Sequence, residues 1–555
     1  VLGGVALEGV QGRLTAGAQS EAVHAAGRFS WNGQEVRFDA ALGRSGAADP
    51  AVPIDLDLRS GGAGAVLHGI LRGEGLEGRL EASGPDISRF LPGPAGAFRA
   101  RGRLQVSSDL VVADDLSLDL PDGPARGAVT FRLLPAARLD VALAAGRLDL
   151  DPWIASLRAS RSGVAFGLDL SAEAATLRGV RLRRLRASLS REGERLSLTD
   201  GAALLPGDTA VELAGATSSA RDGAGPGTAR MDAALRFEGQ DLRAALAALG
   251  WNLERLAPDR LRQGQGSARL AIEEHQVSVS DLSATLDGTR VSGAGVLRHG
   301  ARPALGLGLT LDALNLDGLL VGEVGLAELS RALGGFDANL RFAADRLMLG
   351  GVAVERAAVD AAAEDGRLTL RRATGQVVGA DVALSGALLP PASRAGEARG
   401  GEGSGAPRSA DAAAAPRLAD VMIEASAPDP RRVLALVPGA WPDASPMAAE
   451  AMSLRLSGAG PADALLFRAE ADWAGLRAEA GATLDLAAHR VGGTLTLRHP
   501  GAARLLNTLL GPWVGRWMGD GSLSLIASGQ AGPQGATADR FELVMGGLRA
   551  GGALA

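Results

Sequence analysis

Gly73-Glu74-Gly75-Leu76-Glu77-Gly78 carries the glycine spacing that cradles a dinucleotide pyrophosphate when it follows a strand and opens a helix. Strand-like Arg79-Leu80-Glu81-Ala82 comes next, so the spacing reads as a glycine-rich turn. The carboxylate pairs Asp55/Asp57, Asp114/Asp115 and Asp149/Asp151 have the charge for calcium. No glycine-centred ligand loop surrounds them, and carboxylates two apart on an alternating strand simply share its wet face. The six histidines are His24, His68, His275, His299, His489 and His499. None lies in H-E-x-x-H or at helical ligand spacing, and no serine sits in a G-x-S-x-G elbow. The chain has Cys 0 and Tyr 0, and all 57 basic residues are Arg. That excludes a Walker-type phosphate loop, a Schiff-base lysine, a thiol nucleophile, cysteine-ligated zinc and disulfides. Net charge is −6 with both signs interspersed, and no basic stripe is available for nucleic acid. No catalytic, cofactor or metal residue emerges, and the chain reads as a non-enzyme without a cofactor.

The elements that would have to position such groups are strands. Leu116-Ser117-Leu118-Asp119-Leu120, Val129-Thr130-Phe131-Arg132-Leu133 and Leu139-Asp140-Val141-Ala142-Leu143 alternate with period two, as does the stretch holding Leu309 and Leu311. Leu116, Leu118, Leu120, Val129, Phe131, Leu133, Leu139, Val141, Leu143, Leu309 and Leu311 are therefore expected on one apolar face, with the polar residues opposite. Gly 78, Pro 26 and turn pairs such as Asp122-Gly123, Asp287-Gly288 and Asp365-Gly366 punctuate the strands. The expected class is mainly β, a long curved antiparallel sheet of repeated strands, groove- or taco-like, with a few short capping helices. At ~8–12 residues per strand and turn, roughly 40–50 strands are expected. At about 4.8 Å each, they make a continuous sheet on the order of 200 Å long.

Short helices are expected at Pro85–Leu91, Asp241–Gly250, Asp429–Leu436 and Pro500–Gly511, each with Asp or Pro near its start. Trp153, Trp251, Trp441, Trp513 and Trp517 lie near helix or repeat ends, where they would plug the sheet. Pro390–Arg417 is a low-complexity insertion read as disordered, and Ser218–Thr228 a shorter flexible loop. The phrase around Leu148-Asp149-Leu150-Asp151-Pro152-Trp153, preceded by Arg138-Leu139-Asp140-Val141, returns as Leu314-Asn315-Leu316-Asp317-Gly318-Leu319 after Arg302-Pro303-Ala304-Leu305. Asp149 and Asn315 are 315 − 149 = 166 positions apart, so the repeat unit holds many strands. The divisions read from this are 1–153 and 154–320 as two β repeats, 321–389 as a β segment, 390–417 as the insertion and 418–555 as a further repeat. A β-solenoid predicts a short period of ~20–30 residues, which the long period disfavours. An outer-membrane barrel predicts aromatic girdles, against aromatics of 3%.

Leu148–Asp151, Arg302–Leu305, the Asp241–Gly250 helix, and the run from Gly335-Phe336-Asp337 through Gly350-Gly351-Val352 to Asp365-Gly366-Arg367-Leu368 together resemble the AsmA family of Gram-negative envelope proteins. The resemblance covers most of the chain and is weakest at Pro390–Arg417. It implies a periplasmic protein anchored to the inner membrane, associated with outer-membrane assembly and similar to bridge-like lipid-transfer proteins, whose groove takes phospholipid acyl chains. It also implies envelope protein partners. No run of 18 or more apolar residues occurs, and the chain reads as a segment of a longer protein whose missing N-terminus would hold the anchor. The competing expectation is a structural or adhesive secreted β-repeat protein without lipid cargo.

Overall fold

The computed structural model describes all residues except 1–7, 16–22, 32–33, 45–50, 90–94, 160–163, 220–228, 319–333, 391–416, 435–449, 487, 511–520, 534 and 555. The described residues form 31 strands, a few short α-helices and one 3-10 turn at Ile87–Arg89. The chain is mainly β, as the alternation predicts. The strand number falls below the expected range because strands run to 13 residues, as in Val180–Glu192, where bulges let one strand continue past a kink.

Two compact units divide the chain: Val1–Leu253 with Leu261–Glu274, and Glu254–Arg260 with His275–Ala555. In each, every described strand pairs with its neighbours in sequence. The first unit runs from Glu8–Thr15 to Gly264–Ile272, and the second from Gln276–Leu286 to Leu548–Leu554. Nearest-neighbour pairing of this kind makes each unit a solenoid-like β stack. The reading against a solenoid therefore needs correction. The absence of a short sequence period does not preclude a one-dimensional stack, because identical side chains are not required at each step.

The sheet is also not antiparallel throughout. Arg138–Asp149 lies parallel to Ala165–Leu177, and Ala304–Asn315 parallel to Asp337–Leu349. The first parallel join is made by helix α1, Leu150–Ala159, which returns the chain to the end from which it came. The Leu148–Asp151 phrase therefore holds a boundary. Leu148 and Asp149 end the strand, and Leu150 and Asp151 begin the helix. Asp149 Oδ1 accepts the Asp151 N–H at 3.2 Å, and Pro152 suits a first helical turn.

The repeat is geometric as well as verbal. The seven strands from Leu110 to Ser219 reappear from Gln276 to Leu389, with equivalent bulges in the same ladders. Ala113/Leu116 answers Val279/Leu282, Arg183/Arg186 answers Glu355/Ala358, and Leu198/Gly201 answers Leu370/Ala373. The offset is 282 − 116 = 166 before the parallel join and 358 − 186 = 172 after it. The two copies bury equivalent cores. Ala172, Ala175 and Leu185, which pack with Leu182, correspond to Ala344, Leu347 and Ala357, which pack with Val354. Trp153 of α1 packs on the first of these clusters.

Helix α2, Leu242–Ala248, follows the sequence signals closely. Asp241 caps it by accepting the Ala244 N–H at 3.3 Å. Gly250, at φ +90°, and Trp251 close its end by donating to Ala247 and Leu246, the arrangement in which a left-handed glycine satisfies the last carbonyls. The other expected helices appear as Ile87–Arg89, Arg431–Leu434 and Ala502–Leu510. Of the tryptophans expected to plug sheet ends, Trp153 is packed and Trp251 is 63% exposed, which corrects that expectation for Trp251. Trp441, Trp513 and Trp517 lie outside the described residues. So do 391–416 of the low-complexity segment and 220–228 of the short loop, while Ser218 and Ser219 end a strand.

Candidate functional site

Cross-strand pairing sorts the described strand residues into two faces. Residues directly opposite in a ladder share a face, and successive residues alternate between faces. One face holds the Asp, Glu and Arg side chains. Arg59 bridges Asp57 at 2.7 Å, His68 Nδ1 lies 2.6 Å from Asp55, and Arg103 joins Asp114 and Asp115. Arg138 bridges Asp140 at 2.9 Å, Arg341 bridges Asp360 at 3.2 Å, and Arg455 bridges Glu424 at 3.0 Å. The carboxylate pairs weighed for calcium are thus tied up in ion pairs or turns, Asp151 accepting the Arg178 N–H at 2.9 Å. The Arg59 hydrogen bond holds the Asp57 carboxyl below the usual range. Among the described residues no His, Asp and Glu come together as a metal-binding group. The glycine-spaced run at 73–78 is the hairpin between Ala63–Arg72 and Gly75–Gly84, with Gly73 at φ +60°.

The opposite face is apolar, and its residues line up in rows across the strands. In the first unit Ala113, Val129, Val141, Leu168, Leu189, Leu198, Gly215, Ala233 and Leu270 are successive partners. The same row extends backward through Leu104, Gly78, Gly69 and Ile54 to Leu42 and Val23. In the second unit Leu282, Gly293, Leu309, Phe342, Val359, Ala373, Leu384 and Ile423 begin a row. It continues through Leu456, Ala469, Ala480, Leu495, Ala527 and Phe541 to Gly552.

Ten of the eleven sequence-nominated residues take ladder positions on this face, and Leu133 does not. Val129 and Val141 are partners, as are Phe131 and Leu139. Leu116 and Leu143 flank Gly127, Leu118 faces Ala125, and Leu120 faces Gly123. Leu309 lies between Gly293 and Phe342, and Leu311 between Val291 and Ala344. Leu133 follows its strand's last residue and donates its N–H to Asp109 at 2.7 Å. Leu116, Leu120 and Leu143 are buried, and the remaining eight are half-buried. Elsewhere on the face Leu297 and Leu495 remain 38% exposed. The face is thus partly exposed at these two positions of the second unit.

One residue breaks the pattern. On Val180–Glu192 the apolar-face positions run Leu185, Ala187, Leu189 and then Arg191, which lies between Phe166 and Leu196 in the ladders. Among the described strands it is the only charged side chain at a ladder position on this face. The alternation that nominated the leucines would have found it, since the same period places 191 with 187 and 189.

No family model, curated protein or solved structure matches the chain.

Proposed function

We propose that this chain is a periplasmic β scaffold of the AsmA kind, whose apolar face is the floor of a groove carrying phospholipid acyl chains between the inner and outer membranes. In this reading it supports outer-membrane assembly without catalysing a reaction. The inner membrane holds it through a segment N-terminal to the described strands, and envelope proteins are its partners. The observation that supports the reading is the apolar row across the strands of each unit, on which side chains such as Leu297 and Leu495 stay 38% exposed. A mainly apolar face needs a cover. Burying a methylene is worth about 0.8 kcal/mol, so a 16-carbon chain gains on the order of 12 kcal/mol over exposure to water. A continuous row lets the chain slide from strand to strand while it stays covered.

Lipid extraction and mass spectrometry of the purified chain provide the test. Stoichiometric phospholipid is the expected result. Lipid-free protein, from cells and after incubation with phospholipid vesicles, would sink the reading and favour a structural, secreted β-repeat protein.

A further inference from the structure

A parallel join sets a geometric demand that a hairpin does not. The helices Leu242–Ala248, Arg431–Leu434 and Ala502–Leu510 each join strands whose facing ends are ladder partners, Gly239 with Gly264, Ala427 with Met452 and His499 with Leu523. There the chain leaves and returns at one place. Helix α1 joins Arg138–Asp149 to the parallel Ala165–Leu177, so the chain must travel from Asp149 back to the level of Ala165, whose partner is Arg138. That is 149 − 138 = 11 ladder steps, about 36 Å at ~3.3 Å each. The ten residues of α1 supply about 15 Å of it. The 165 − 159 = 6 steps from Ala159 to Ala165 supply at most about 20 Å. The connection is a strap with almost no slack.

The strap crosses the apolar face. Leu150 and Trp153 of α1 pack on the cluster that holds the ladder pairs Leu143/Leu170, Ala145/Ala172 and Leu148/Ala175. These three pairs, nearest the start of α1, are buried, whereas the pairs Leu139/Phe166 and Val141/Leu168 beyond them are half-buried. Burial thus follows the reach of the helix, and α1 occupies more than half the width of the apolar strip at these two strands.

Two features make this seat easy to leave. Trp153 Nε1 is buried without a hydrogen-bond partner among the described residues, and a donor buried unpaired weakens the state that buries it. A helix of ten residues is also shorter than the roughly 12–15 that hold themselves in water, so α1 depends on its docking to stay folded. Unwinding it lengthens those residues from about 15 Å to about 33 Å and gives the strap about 18 Å of slack.

We propose that α1 is a gate on the apolar face of the first unit, an inference that rests on the lipid-carrying reading. Docked and helical, α1 fills the strip where an acyl chain would pass over Arg138–Asp149 and Ala165–Leu177. Unwound, it lifts clear, and the acyl chain takes the place of Leu150 and Trp153 on the buried pairs.

The test mixes the full chain with phosphatidylglycerol vesicles and samples it over time. Hydrogen exchange is read peptide by peptide, and bound lipid is counted by mass spectrometry in the same samples. Protection of α1 should fall by about tenfold or more at full loading, while the ladder of Arg138–Asp149 with Ala165–Leu177 keeps its own. Ala155 is exposed on α1, and Ala155→Gly should make that loss about fivefold faster, the equivalent of ~1 kcal/mol of helix propensity. Ala247→Gly, the same change at an exposed site of α2, should leave the rate as it is. An α1 that keeps its protection on a lipid-loaded chain overturns the gate and leaves the lipid reading standing. An unchanged rate in Ala155→Gly does the same, as does equal speeding by Ala247→Gly. A wild-type chain that takes up no phosphatidylglycerol sinks the lipid reading, and the gate with it.

Discussion

Asp115 and Asp281 stand 166 positions apart and share one backbone conformation, φ 49° and φ 50°, at the same bulge in the two copies of the seven-strand pattern. Left-handed backbone at a residue with a side chain is uncommon, and Asp tolerates it better than most. The bulge shifts the ladder so that Ala113 and Leu116 in one copy, and Val279 and Leu282 in the other, all reach the apolar face.

Replacing Asp281 with the β-branched Val should therefore destabilise the second unit by ~1–2 kcal/mol. Asp115→Val should cost the first unit a similar amount. Calorimetry of both single variants checks this, and a Val variant that melts with the wild type would refute the strain argument.

Gly127 and Gly293 occupy equivalent positions in the two copies. A Cβ at Gly127 would press into the Ala142 carbonyl, and one at Gly293, held at φ +154°, into the Gly308 carbonyl. Gly293→Val should therefore cost about 2–3 kcal/mol or more from overpacking alone. Hydrogen exchange should show the loss concentrated in the strands Thr289–Arg298 and Ala304–Asn315. Uniform loss across the chain would contradict the neighbour-only build.

Arg290 donates its backbone N–H and its Nε to the two oxygens of Asp312, each at 3.0 Å, and the side-chain bond holds the Asp312 carboxyl below the usual carboxylate range. A carboxyl with a depressed folded pKa contributes stability that is complete above its ordinary value near 3.8 and is lost as the pH falls through the depressed one. Asp312→Asn should melt below the wild type at pH 7, and the gap should close in acid. A gap that stays constant down to pH 2 would refute the linkage.

Leu495 is 38% exposed on the apolar face, and Ile526 is 48% exposed on the polar face of the next strand. If the apolar face carries lipid as proposed, Leu495→Glu should reduce the lipid bound severalfold, because burying a carboxylate against hydrocarbon is costly. Ile526→Glu should leave it unchanged. Both should shift stability by no more than about 0.5 kcal/mol, being substitutions of exposed side chains. Equal lipid losses from both would argue against a face-specific path.

The two faces were legible in the sequence because period-two alternation carries through ladder after ladder, as from Val129 to Val141 to Leu168. The Asp241 cap and the Gly250 stop of α2 were legible for a similar reason, each being a local signal with a local cause. The parallel join at Arg138–Asp149 was not, because strand direction is set by the length of the connection, and Leu148-Asp149-Leu150-Asp151 alternates equally well as strand or as strand end and helix start. The bulges escaped as well. Nothing in Arg183-Arg184-Leu185 marks Arg184 for φ 50° until the equivalent Arg356 shows φ 51°. Arg191 is equally legible, since the same period of two places it with Ala187 and Leu189.

The copied block has a further consequence for reach. Since each described strand forms its ladders only with the strands beside it, inserting seven more breaks no distant ladder and extends the sheet by about 34 Å at ~4.8 Å per strand. Span in such a chain can grow by gene duplication alone, in whole blocks, while the width of the apolar strip stays the same.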